Sequence, residues 1–163
     1  MEDKKIFVKA YENNDLKNFF KGNNGYMLYP VEARSFIDKR KDGTGNLMYY
    51  AFENCIIPVY KENAYPDMPD KILDVLNDMI HSQDFSDVYV GIDVIFTLIN
   101  GNYINKLNID IDKLSKMLLY IKQYIKENEA TLKEKINYMG NISFYEEFYR
   151  KNESLGEKNF YEL

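Results

Sequence analysis

The chain has no tryptophan, one cysteine and one histidine among 163 residues. A lone Cys55 excludes an intramolecular disulfide framework and any zinc site built on a cysteine pair. A lone His81 excludes HExxH-type motifs and multi-histidine metal sites. Long hydrophobic runs are also missing. The longest apolar stretch, Val88–Ile99, is about a dozen residues and is interrupted by Asp93, whereas a membrane span needs roughly 20. The opening MEDKKIFVKAYENN carries neither a long apolar segment nor a small-residue cleavage site, so no secretory signal is expected there. A soluble, cytoplasmic chain is the resulting expectation.

Hydrophobic residues make up 45% of the sequence, enough for one compact domain over residues 1–163. Twenty-six acidic against 21 basic residues give a net charge of −5. That balance argues against non-specific nucleic-acid or anionic-membrane binding, and suits a docking surface for a basic protein partner. Tyr 15 and Phe 10 stand out, alongside abundant Asn, Lys and Ile. Codon bias of an AT-rich genome accounts for this pattern. A tyrosine-rich recognition surface is the functional alternative.

The pattern predicts an all-α or mostly α fold, an antiparallel helical bundle or HEAT-like helix pairs, with a small N-terminal β element left open at Ile6–Ala10 and Leu47–Tyr60. Leu16–Lys21 reads as a short helix ending at Gly22, and Pro30 opens another over Val31–Lys41 before a turn at Asp42–Asn46. Leu47–Tyr60 fits a buried helix ending near Pro58, or strands. From Asp67 onward the signals are clearer. Ile72, Leu73, Leu76, Met79 and Ile80 share one helical face. Ser86 caps a following apolar helix, closed by Asn100-Gly101. Asp110 caps a third, whose Ile111, Leu114, Leu118, Ile121 and Ile125 repeat at 3-4 spacing, and Thr131-x-x-Glu134 and Ser143-x-x-Glu146 mark later starts.

Six Asp residues and the only histidine fall within Asp67–Asp87. Asp74, Asp78 and His81, at i, i+4 and i+7, can project from one side of a helix, which suits a metal or a carboxylate-using enzyme. Helical projection puts Asp70, Asp74 and His81 opposite the apolar face, which favours a solvated surface instead. Asp93 lies within the apolar helix, so it is either tied to a polar partner or turned outward with Thr97. Gly43-Thr44-Gly45 after Lys39-Arg40-Lys41 lacks P-loop spacing. Phe144 and Phe148 are core candidates, while Tyr145 and Tyr149 lie on a neighbouring helical face. No cofactor is indicated.

The run DKILDVLNDMIHSQDFSDVYVGIDVIFTLINGN resembles a HEAT-like helical pair. Small acidic helical proteins with this pattern are similar to immunity proteins of bacterial polymorphic-toxin systems. The resemblance covers about a third of the chain and implies a non-enzymatic binding module that neutralises a toxin by direct contact. Candidate partner-binding residues are Asp70, Asp74, Asp78, Asp84 and Asp87, with Tyr145 and Tyr149 as aromatic anchors. A phage-encoded inhibitor or a host adaptor fits the same features. An enzyme centred on Asp74, Asp78 and His81 is the alternative of a different class.

Overall fold

A computed structural model of the chain describes residues 2–22, 47–128 and 130–131. Every regular element among the described residues is helical: α1 (Glu2–Glu12), α2 (Leu16–Gly22), α3 (Leu47–Ala51), a π-helical turn (Phe52–Ile56), α4 (Ile57–Lys61), α5 (Met68–Ile80), α6 (Phe85–Asn100), α7 (Tyr103–Lys106) and α8 (Ile111–Glu127). The fold is all-α. The helix expected over Val31–Lys41, the adjoining Asp42–Asn46 turn, the Thr131-x-x-Glu134 start beyond Thr131 itself, and the Ser143 start lie outside the described residues.

Both stretches left open as strands are helical. Ile6–Ala10 lies inside α1, with Phe7 and Tyr11 buried one turn apart. Leu47–Tyr60 is one helical run that continues through Pro58 instead of ending there. Proline lacks the N–H that would bond the carbonyl four residues back, and its ring crowds that carbonyl. Here the π-helical turn ends two residues before Pro58, and the Ile57 N–H donates to the Phe52 carbonyl five residues back. The widened turn accommodates the proline without breaking the helix.

The chain divides into two compact units, Met1–Ile109 and Asp110–Leu163. In the first, α6 is buried nearly all round and is packed by α2, α3, α5 and α7. Its closest partner is α5, and Gly91 explains how close. A Cβ at Gly91 would lie 3.0 Å from Met79 Cβ and 3.2 Å from Ile80 Cγ2, so a side chain there would wedge the two helices apart. Asp84, rather than Ser86, is the N-cap of α6: its carboxylate accepts from the Ser86 N–H at 2.9 Å.

Among the described residues, Phe7, Tyr11, Phe19, Phe20, Phe52, Tyr89 and Tyr103 are aromatic members of the core. Tyr65, Tyr11, Phe7, Phe19, Phe20, Phe52, Tyr103 and Tyr49 form a continuous series of ring contacts, with centroids 4.9 to 6.5 Å apart. Edge-on and stacked ring pairs each add to the apolar area they bury. Tyr103 is buried between Phe52 and Tyr49 in this series, its hydroxyl donating to Glu53 at 2.8 Å. A Cβ on Gly101 would come within 2.2 Å of that pinned ring, so only glycine fits at 101.

Asparagine has a structural use as well. Asn14, Asn63, Asn102 and Asn108 all take the left-handed backbone, each just past a helix end. Asn tolerates that conformation better than other side-chain-bearing residues. After α1, Asp15 N–H bonds Ala10 O and Asn14 N–H bonds Tyr11 O. After α7, Ile109 N–H bonds Ile104 O and Asn108 N–H bonds Asn105 O. Both are Schellman endings. The end of α6 differs from expectation in the same way: Gly101 keeps a right-handed backbone (φ −82°) and Asn102 makes the left-handed turn.

In the second unit, α8 buries Leu114, Met117, Leu118 and Ile121, matching the 3-4 repeat, and Asp110 accepts from the Lys113 N–H at its start. The Ile125 side chain lies outside the described residues. Tyr120 and Tyr124 stack one turn apart, and the Asn128 amide donates to the Tyr124 carbonyl at the helix end.

Candidate interaction surface

Pro69 sits in the first turn of α5, where its missing N–H costs nothing, and the helix then runs thirteen residues. Ile72, Leu73, Leu76, Met79 and Ile80 are all buried. Asp70, Asp74 and Asp78 are exposed, as is Asp67 just before the helix. At about 100° per residue these four carboxylates span an arc of about 80° on the side away from the core. Asp74 and Asp78 make no ion pair among the described residues. They form an acidic stripe about three turns long.

The five acidic-face candidates do not share one surface. Asp70, Asp74 and Asp78 lie on the stripe; Asp84 is exposed in the turn between α5 and α6, where it caps α6. Asp87 points inward and is only 4% exposed. Its Oδ1 accepts from Lys21 Nζ at 2.5 Å, its Oδ2 accepts from Ser82 Oγ at 2.8 Å, and Lys17 Nζ lies 3.6 Å away. Lys21, itself 7% exposed, also lies 3.9 Å from Asp84. Burial alone would raise the Asp87 pKa. The hydrogen bonds from Lys21 and Ser82 and the charges of Lys21 and Lys17 outweigh it and hold the carboxyl below the ordinary value. Asp87 therefore ties α2 to the start of α6. Helical periodicity missed this because the partner is 66 residues away.

His81 is the C-cap of α5, exposed, with Nδ1 donating as an N–H to the Asn77 carbonyl at 2.8 Å. The same carbonyl accepts the His81 backbone N–H at 3.2 Å, so the ring adds a second hydrogen bond in the last turn of the helix. Among the described residues, no three His, Cys, Asp or Glu side chains converge to hold a metal ion, so Asp74, Asp78 and His81 are not gathered into such a group. Cys55 is buried in the π-helical turn. Asp93 is buried and is not an unpartnered carboxylate. Thr97 is buried with it and donates to the Asp93 backbone carbonyl at 2.9 Å, so the outward polar stripe considered for the pair does not form.

Tyr145 and Tyr149 lie outside the described residues. A different pair of tyrosines adjoins the stripe. Tyr65, in the loop before α5, meets Tyr11 of α1 edge-on at 4.9 Å, and its hydroxyl donates to Glu12 at 2.5 Å. Lys71, next to Asp70 on α5, places its ammonium 4.8 Å from the Tyr11 ring centre. The Tyr11 pKa is raised, first by burial and then by the negative charge of Asp67. This cluster draws on α1, the loop and α5, and no local pattern announces it. Glu12 also lines a groove of about 340 Å³ that runs along Lys4, Lys5, Val8 and Lys9, with Lys4 paired to Glu62 at 3.3 Å.

No family model matches the chain, and no curated protein or solved structure matches it either. Among the described residues no helix is long and apolar enough to cross a membrane.

Proposed function

We propose that this chain is a non-enzymatic protein-binding module, and most concretely a cytoplasmic immunity protein that neutralises a cognate bacterial toxin by direct contact. Its α5 and α6 would be the HEAT-like pair, and its partner a basic toxin domain. One observation carries the reading: Asp67, Asp70, Asp74 and Asp78 are all exposed on the side of α5 turned away from its buried apolar residues. A stripe of one charge sign accelerates encounter with a partner of the opposite sign, by about 10- to 1,000-fold in well-steered pairs. Neutralisation by occlusion requires a rigid surface and no reacting group.

The test is co-expression with the product of the neighbouring gene in a bacterial host. Growth is expected to be rescued by the unaltered chain. The Asp74→Lys, Asp78→Lys double variant should remain folded and lose most of the rescue. Equal rescue by both proteins removes the stripe from the mechanism, and toxicity unaffected by either removes the immunity reading.

A further inference from the structure

Lys71 shows what the tyrosine pair beside the stripe can hold. Its ammonium lies over the face of Tyr11, the geometry of a cation–π contact. Tyr65 stands edge-on to that ring, with Glu12 accepting its hydroxyl. The Asp67 charge acts on Tyr11 from the start of α5. A cation from the same chain thus lies over one ring, a second ring stands edge-on to that ring, and a carboxylate accepts the second ring's hydroxyl. Lys71 is an exposed residue on a four-carbon stem, so it can swing away at little cost, uncovering a ring that is otherwise buried.

Resting on the protein-binding reading above, we propose that Tyr11, Tyr65, Glu12 and Asp67 form a seat for an arginine or lysine side chain of the partner, which displaces Lys71 from the Tyr11 ring. The stripe would draw a basic segment along α5, and the seat at its N-terminal end would fix the register. An arginine is the better occupant, because its planar guanidinium stacks on a ring while its N–H groups reach flanking carboxylates. Lys71 acts as a placeholder: it keeps the ring covered in the free protein and lowers affinity for any cation that cannot replace it.

An N-acetylated, C-amidated octa-arginine peptide, titrated calorimetrically at low ionic strength, is the probe. Lys71→Ala empties the seat and is expected to tighten binding by about three- to tenfold, in the range a cation–π contact supplies. Lys5→Ala removes the same charge from the groove side of α1 and should change binding less than about twofold. On the Lys71→Ala background, Tyr11→Phe should keep the gain and Tyr11→Leu should lose it. Because Tyr11 is buried, thermal unfolding checks that variant, and the half-buried Tyr65→Leu provides a second removal of the seat. The seat is overturned if Lys71→Ala tightens binding no more than Lys5→Ala, or if the gain survives both leucine variants. Asp74→Asn with Asp78→Asn separates the two ideas. Weaker binding in that pair without a Lys71 effect leaves the stripe and removes the seat. A Lys71 effect without a stripe effect does the reverse, and no binding by any variant removes both.

Discussion

Removing one partner of the Lys21–Asp87 pair should be among the most damaging single changes available in this chain. Both side chains are buried, so neither charge can be recovered by water once its partner is gone. Breaking such a pair costs about 3–5 kcal/mol. The surroundings rank the two sides. In Lys21→Met, Asp87 keeps Ser82 and the half-exposed Lys17, which places the loss near ~3 kcal/mol. In Asp87→Leu, Lys21 keeps Asp84 only at 3.9 Å and mostly in solvent, which places the loss nearer ~4 kcal/mol. A domain of this size holds about 5–15 kcal/mol in total, so either variant should unfold far earlier in urea, by about 2 M for a typical slope of about 1.5–2 kcal/mol per molar. Lys21→Met combined with Asp87→Leu removes both charges and should recover much of the loss. Urea unfolding followed by far-ultraviolet circular dichroism reads all three. Single variants within ~0.5 kcal/mol of the parent, or a double variant as poor as the sum of the singles, would mean that the two buried charges do not depend on each other.

The same pair fixes an acid dependence. The Asp87 pKa is lowered in the folded chain, so its stabilisation is present above the ordinary carboxylate value near 3.8 and is lost as pH falls through the folded value. The parent should lose stability below pH 4 more steeply than Lys21→Met/Asp87→Leu, measured by urea midpoints across pH 3–6. At the alkaline end, the Tyr103 pKa is raised well above 10, by burial first and by its bond to Glu53 second. Its contribution is complete below pH 10 and fades as pH rises, so absorbance titration at 295 nm should show a tyrosine that ionises only with unfolding, and Tyr103→Phe should abolish that component. Gly91→Ala places a methyl against Met79 and Ile80 and should cost ~1 kcal/mol even after the gain in helix propensity; a raised melting temperature would mean the α5–α6 seam has slack. At Asn108, glycine should match or exceed the parent and alanine should lose ~1 kcal/mol, because only the alanine strains the left-handed backbone; equal urea midpoints for both would contradict this.

Much of the helical content was legible because α5, α6 and α8 bury apolar faces that repeat at helical spacing. The α5 stripe was legible for the same reason: once Ile72, Leu76 and Ile80 are placed inward, Asp70 and Asp74 must face out. What periodicity could not reach were the long-range partners. Asp87 lies within the same acidic segment as Asp78, yet it is drawn inward by Lys21, and only tertiary packing chooses between a carboxylate that docks a partner and one that pins a helix. Leu47–Tyr60 was ambiguous because a short apolar run fits both a strand and a buried helix, and Pro58 suggested a stop that the π-helical turn removes. The abundant Asn and aromatic residues, attributable from composition to codon bias, turn out to include left-handed helix endings and a core series of rings. Tyr65 and Tyr11, whose rings meet beside the stripe, are 54 residues apart in sequence and carry no shared motif.

If the exposed carboxylates of α5 steer a basic partner, as proposed, association must slow as salt screens them. Stopped-flow association rates with the neighbouring gene's product, measured across about 20–500 mM salt, test it most directly. The expected rate falls steeply with ionic strength in the parent, and is slower and nearly salt-independent in Asp74→Lys/Asp78→Lys with the melting temperature retained. The same rate and the same salt slope in both proteins would contradict it.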